Sequence, residues 1–212
     1  MSLMLDLKIK VAALKVLFKE VEFYRMSLLG LKLLTREAKG EPYKGCPEPK
    51  DQKDKDSRKL IGEGVVLYRV LLDMYPQEKA EKIIRKVIIN CAVAQLRVLI
   101  PPLKKTDLEK LTPEERTKCY CDIISKFPNT DWELVKDTET EVGINVTKCR
   151  LVEIFDMCGH PELRDSCCTG DAIFFNKYQP EIAFSREQMI GKGCPYCDFC
   201  FALKEIEKET KN

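Results

Sequence analysis

The 212 residues carry 36 basic and 34 acidic side chains, a formal charge of +2, and 44% of them are hydrophobic. That content is enough to bury a core, which excludes a disordered chain, and the balanced charge gives no drive toward nucleic-acid phosphates or anionic lipid. The most apolar N-terminal run, Val11 to Phe18, is broken by Lys15 and flanked by lysines, so neither a membrane span nor a cleaved signal peptide is expected.

From Leu7 through Val11, Leu14, Phe18 and Val21 to Leu31, apolar residues recur three and four apart with charged residues between them. This spacing predicts one long amphipathic helix ending near Gly40. Residues 40 to 56, with their prolines and the charged run Asp51 to Asp56, predict an exposed loop. Ser57 is the expected N-cap of a second helix, which Pro76 ends. A third runs from about Gln77 to Leu99, where Pro101-Pro102 stops it. Thr112-Pro113-Glu114-Glu115 has the pattern of a capped start for a shorter helix to about Lys126.

Past Pro128 the period changes. Trp132 to Val135 and Val142 to Val146 predict two paired strands, followed by helices over 148–157 and from Pro161 to about Asn176. Glu181 to Gln188 and Asp198 to Leu203 predict two more strands joined by a Gly-Lys-Gly hairpin turn, and Lys204 to Asn212 a solvated charged tail. Helices first and a mostly antiparallel sheet afterwards define an α+β chain: an N-terminal helical bundle, residues 1–128, packed on a cysteine-rich α+β subdomain, residues 129–212, as one functional unit.

Eleven cysteines are the compositional oddity, and nine lie from Cys119 onward. Their odd number forbids complete pairing, and with a cytoplasmic location expected they are thiols, metal ligands or catalytic groups. Cys46, Cys91, Cys119 and Cys121 are expected to fill core space. Cys194-x-x-Cys197-x-x-Cys200 has the spacing with which zinc and iron–sulfur loops begin, with Cys149 or Cys168 as a further ligand. On a strand, however, Cys197 and Cys200 would face opposite ways, as would Cys197 and Asp198. Cys168 and Asp171, three apart on a helix, share a face and can act as nucleophile and carboxylate partner. His160, the only histidine, excludes two- and three-histidine zinc sites. It remains available to contact a substrate or to cap a helix.

The succession Val142-Gly-Ile-Asn-Val-Thr-Lys-Cys149-Arg, Pro161-Glu-Leu, Cys168-x-x-Asp171, Phe184-x-Arg186, Gly191 and Cys197-Asp198-Phe199 resembles the L-2-amino-thiazoline-4-carboxylic acid hydrolase family. The resemblance covers about residues 60 to 203, with its distinctive motifs in 142 to 203. It implies hydrolytic opening of a small cyclic amidine, with Cys149, Cys168, Asp171, Cys197 and Asp198 as catalytic candidates. Arg186 would receive the substrate carboxylate and His160 would assist binding. Thiolate attack and metal-activated water both remain open, and the surplus thiols Cys158, Cys167, Cys194 and Cys200 keep a zinc or iron–sulfur protein as the alternative. A small-ligand sensor without catalysis is a third reading. In each case the partner is a small molecule, without nucleic acid or membrane.

Overall fold

The computed structural model describes residues 3–204. The predicted charged tail lies, from residue 205 on, outside the described residues. Helices α1 (Leu3–Glu20) and α2 (Phe23–Ala38) stand where one long helix was expected. The break falls at Val21 and Glu22, with no glycine or proline nearby. Glu22 is instead held by the Tyr75 hydroxyl and by Lys79 Nζ at 2.8 Å, so a tertiary tie turns the chain there.

Helix α3 (Gln52–Met74) starts earlier than the composition suggested. The Asp51 carboxylate accepts the backbone N–H of Asp54 at 2.6 Å and caps it, so the charged run is a first helical turn rather than a loop. Ser57 lies inside that helix, fully buried, and donates to the Lys53 carbonyl. Helix α4 (Gln77–Leu99) has the expected bounds. A short α5 (Lys105–Leu108) precedes α6 (Pro113–Ile124), whose capping box joins Thr112 and Glu115 as the sequence predicts.

Strands β1 (Thr130–Asp137) and β2 (Glu141–Cys149) lead into α7 (Arg150–Met157). The helix expected from Pro161 is a 3-10 turn, Pro161–Leu163, followed by α8 (Ser166–Tyr178). Strands β3 (Ile182–Ser185) and β4 (Cys197–Leu203) complete a four-stranded sheet of order β1-β2-β4-β3, every pair antiparallel. The β3–β4 link is longer than a hairpin turn. It runs from 186 to 196 through a 3-10 turn, Ile190–Lys192, which is capped by Gly193 at φ +93°, a backbone region that favours glycine.

Two apolar clusters fill the interior. One joins α1 to α4 with Leu151, Ile154 and Phe155 of α7. The other gathers Leu96 and Ile100 with Tyr120, Phe174 and Phe175 onto Val142, Ile144 and Phe201 of the sheet. Helix α4 contributes to both. Gly170 lets α8 approach it closely, since a Cβ there would stand 2.7 Å from that of Ala92. No helix among the described residues is long and apolar enough to cross a membrane.

Candidate active site

In antiparallel pairs, facing residues share a side of the sheet. Val146 pairs with Cys197 and Ile144 with Phe199, so Cys197 and Phe199 join the apolar inner face. Cys149 is the last residue of β2, opposite Thr130 at the end of β1. The junction is pinned from two directions. The Arg150 backbone N–H donates to the Asn129 carbonyl at 2.7 Å, and Arg150 Nη2 donates to Asp131 at 2.9 Å. Lys53 of α3 adds a third contact, Nζ to Asp131 at 2.7 Å, and the hydrogen bonds from Arg150 first and Lys53 second draw the carboxyl down to about 2.

Between this end of the sheet, α8, and the helices α1 to α4 lies a cavity of about 380 Å³. Cys149, Cys168, Asp171 and Cys197 all stand on its wall. Of the catalytic candidates, only Asp198 is elsewhere. Its side chain points to the other side of β4 and accepts the backbone N–H groups of Glu187 and Gln188 at 2.9 and 2.5 Å, which fixes the β3–β4 link.

Arg186 is not on the cavity wall. Its Nη1 donates to Asp171 at 3.2 Å and its Nη2 to the Cys168 carbonyl at 3.0 Å, with the guanidinium against the rings of Phe184 and Phe199. Only 5% of the Arg186 side chain is exposed, and its Nε finds no partner among the described residues. The fork expected to receive a substrate carboxylate is thus occupied by a carboxylate of the protein. His160 also lies apart, edge-on to Tyr68 at 4.9 Å between Arg69 and Glu162. Burial, with Arg69 adding to it, lowers its pKa and favours the neutral ring.

The cavity sets the protonation of its groups. Asp171 lies on the cavity wall, and desolvation raises its carboxyl to about 6 even against the pull of Arg186. Burial also pushes up the thiols of Cys149, Cys167, Cys168 and Cys197, so each rests as a neutral S–H at pH 7. Two of them have compensation from N–H groups. The amides of Leu151 and Val152 in the first turn of α7 favour a Cys149 thiolate, and the Ile190 N–H donates to Cys197 Sγ at 3.2 Å. Cys168 lacks such support and has Asp171 as its strongest charged neighbour, which raises it further.

The three thiols of the Cys194–Cys200 run do not converge. Cys197 faces inward, while Cys200, opposite Gly143 and Ser185, faces outward, and Cys194 lies in the preceding link. Among the described residues no three His, Cys, Asp or Glu side chains are grouped to hold a metal ion. All eleven cysteines are free.

Two residues on the wall were not singled out as site residues from sequence. Cys167 neighbours Cys168 on α8, and Cys91, expected as core filler, lines the cavity and donates its S–H to the Ile9 carbonyl at 3.6 Å. A signal for Cys91 was present in its spacing, since it follows Val87 and Ile88 on the apolar face of α4.

An α+β protein with thiols and a perturbed carboxylate around a shared cavity is the class these features define. Residues 57–201 match the model of the L-2-amino-thiazoline-4-carboxylic acid hydrolase family, and the chain belongs to that family. No curated protein and no solved structure matches it.

Proposed function

We propose that the protein hydrolyses a C–N bond of an amidine-type small molecule, with Cys149 as nucleophile and Asp171 as proton carrier. The observation that carries this reading is the shared cavity wall of Cys149, Cys168, Asp171 and Cys197, with Asp171 titrating near the pH at which a carboxyl can both accept and return a proton. The family's hydrolase description supports the same reaction class. The free thiols fit a reducing compartment such as the cytoplasm.

The steps balance as follows. The Cys149 thiol passes its proton to the Asp171 carboxylate, and the sulfur adds to the carbon of the protonated amidine as the C=N electron pair moves to nitrogen, giving a neutral adduct. The adduct collapses by breaking a C–N bond, the departing nitrogen taking the proton from Asp171 and leaving a thioimidate. Water then adds to that carbon, the C–S bond breaks, and the sulfur regains a proton through Asp171. Amidine and water have become amide and amine, joined in one molecule when the amidine is a ring. Leu151 and Val152 N–H groups stabilise the transient thiolate, and Arg186 holds Asp171 in place.

Turnover of L-2-amino-thiazoline-4-carboxylate and of simple amidines tests the reading. Asp171→Asn should lower kcat by about 10²–10⁴, and Cys149→Ser should abolish the covalent adduct seen by mass spectrometry after acid quench. Unchanged turnover in Cys149→Ser removes the nucleophile, and unchanged turnover in both Asp171→Asn and Cys168→Ser removes the site.

A further inference from the structure

Helix α1 carries apolar side chains on two opposite sides. Leu5, Val16 and Leu17 are buried, with the helix packed on α4. Met4, Leu7, Val11, Leu14 and Phe18, spaced three and four apart, form a second stripe that stays exposed. On α2, Leu29 is buried where that helix packs on α3, while Phe23, Tyr24, Leu28, Leu31 and Leu34 are exposed, with the uncharged Ser27 and Thr35 between them. Phe18, Phe23 and Tyr24, on either side of the break between the helices, are 63%, 86% and 70% exposed. At about 150–250 Å² for an aromatic side chain, these three alone present on the order of 400 Å². The largest apolar patch on a typical monomer is about 300–600 Å², and the seven aliphatic side chains come in addition.

The chain-wide charge balance conceals an uneven distribution. Seven basic and four acidic side chains lie between Leu3 and Ala38, an excess of three on a chain whose total is +2. Asp6, Glu20 and Glu22 are each bound to a lysine, Lys10, Lys86 and Lys79 in turn. Lys8, Lys15 and Lys19 are exposed and form no ion pair among the described residues. Their spacing of seven and four places them along one edge of the α1 stripe. We propose that the outward faces of α1 and α2 dock the protein on an anionic phospholipid bilayer, the apolar side chains entering among the acyl chains and Lys8, Lys15 and Lys19 reaching the headgroup phosphates. The helices lie on this surface, since no helix among the described residues is long and apolar enough to cross it. A second copy of the chain does not match the charges. The α1 stripe has the spacing of a coiled-coil seam, but Lys8 and Lys15 on one flank and Lys10 on the other would meet lysines of the copy in either direction. Helix α2 offers them one acidic side chain, Glu37, and that stands at the cavity wall. The docking surface lies ahead of residue 57, where the family match begins, and is independent of the hydrolase reading.

The test is co-sedimentation of the full-length protein with vesicles of phosphatidylcholine alone and of an equimolar mixture of phosphatidylcholine and phosphatidylglycerol. The protein should bind the mixed vesicles, bind the neutral ones far more weakly, and leave the mixed ones as salt rises. Replacing Lys8, Lys15 and Lys19 together by Gln should weaken binding to the mixed vesicles on the order of 100-fold, at about fivefold per lysine. Phe23→Ser combined with Leu31→Ser should weaken it at least about tenfold. Both variants alter exposed side chains only, so their circular dichroism and thermal unfolding should match the parent chain. Absence of binding to the mixed vesicles, equal binding to both kinds, or binding untouched by either set of substitutions would overturn the proposal. So would light scattering that finds a dimer which Phe23→Ser with Leu31→Ser separates into monomers, because the face would then belong to a second copy.

Discussion

Arg186 and Asp171 face each other across 3.2 Å at the edge of the cavity, the arginine almost wholly enclosed and the carboxylate on the cavity wall. The arginine tempers the desolvation of Asp171 without cancelling it, and the carboxyl settles at about 6.

Removing the guanidinium should therefore move the pH profile in a definite direction. In Arg186→Met, Asp171 loses the interaction that favours its charged form, and the acid limb of kcat/KM should shift to higher pH by about 1–3 units. A variant that only lost packing would lower the rate with the limb unmoved. A pH–rate series on both proteins decides between these outcomes.

The same carboxyl leaves a mark on stability. Its folded pKa of about 6 lies above the value of an unfolded aspartate, so between about pH 4 and 6 the folded state binds more protons than the unfolded one. Stability contributed by this group is full below pH 4 and falls as pH rises through 6, by on the order of 3 kcal/mol. Asp171→Asn should lack that fall. Denaturant unfolding of both proteins at pH 4.5 and 7 should show the wild type losing more, and parallel changes would contradict the assignment.

Asp131 has the opposite sign. Hydrogen bonds from Arg150 and Lys53 hold its carboxyl at about 2, so its contribution is present above pH 4 and is lost as pH falls toward 2. Asp131→Asn leaves the buried Arg150 guanidinium short of a partner, at a cost of about 1–3 kcal/mol at neutral pH. Because Arg150 follows Cys149 directly, turnover should fall as well. Urea denaturation and kinetics on the one variant read both effects.

Gly170→Ala sets two effects against each other. Alanine gains about 1 kcal/mol of helix propensity, but its Cβ would meet that of Ala92 at 2.7 Å, and overpacking of this kind costs about 1–3 kcal/mol. The variant should be less stable, and Ala92→Gly should recover part of the loss in the double variant. Additive effects in thermal unfolding would show that the two helices do not meet there.

Which elements were legible in the sequence follows from where their signals lie. The capping box at Thr112 and the apolar stripe of α4 closed by Pro101-Pro102 are local patterns, and both reappear in the structure. The break between α1 and α2 is set by Tyr75 and Lys79, more than fifty positions away, while the apolar spacing runs through it undisturbed. The start of α3 was obscured because a run of Asp and Lys suits a solvated loop and a first helical turn equally well; the Asp51 cap decides it. At the site, strand alternation already separated Asp198 and Cys200 from Cys197. What spacing could not reveal was that the Arg186 fork is filled from within the protein, because the Asp171 pairing joins a helix to the link beyond β3.

The wall that α1 and α2 give the cavity, through Ile9, Ala13, Leu14 and Leu33, comes from residues ahead of the stretch matching the family. The reacting groups lie within that stretch. Transformation and fit are thus inscribed on separate segments of one chain. Exchange of α1 alone would retailor which molecule is admitted while the bond-breaking apparatus beneath it stayed as it is.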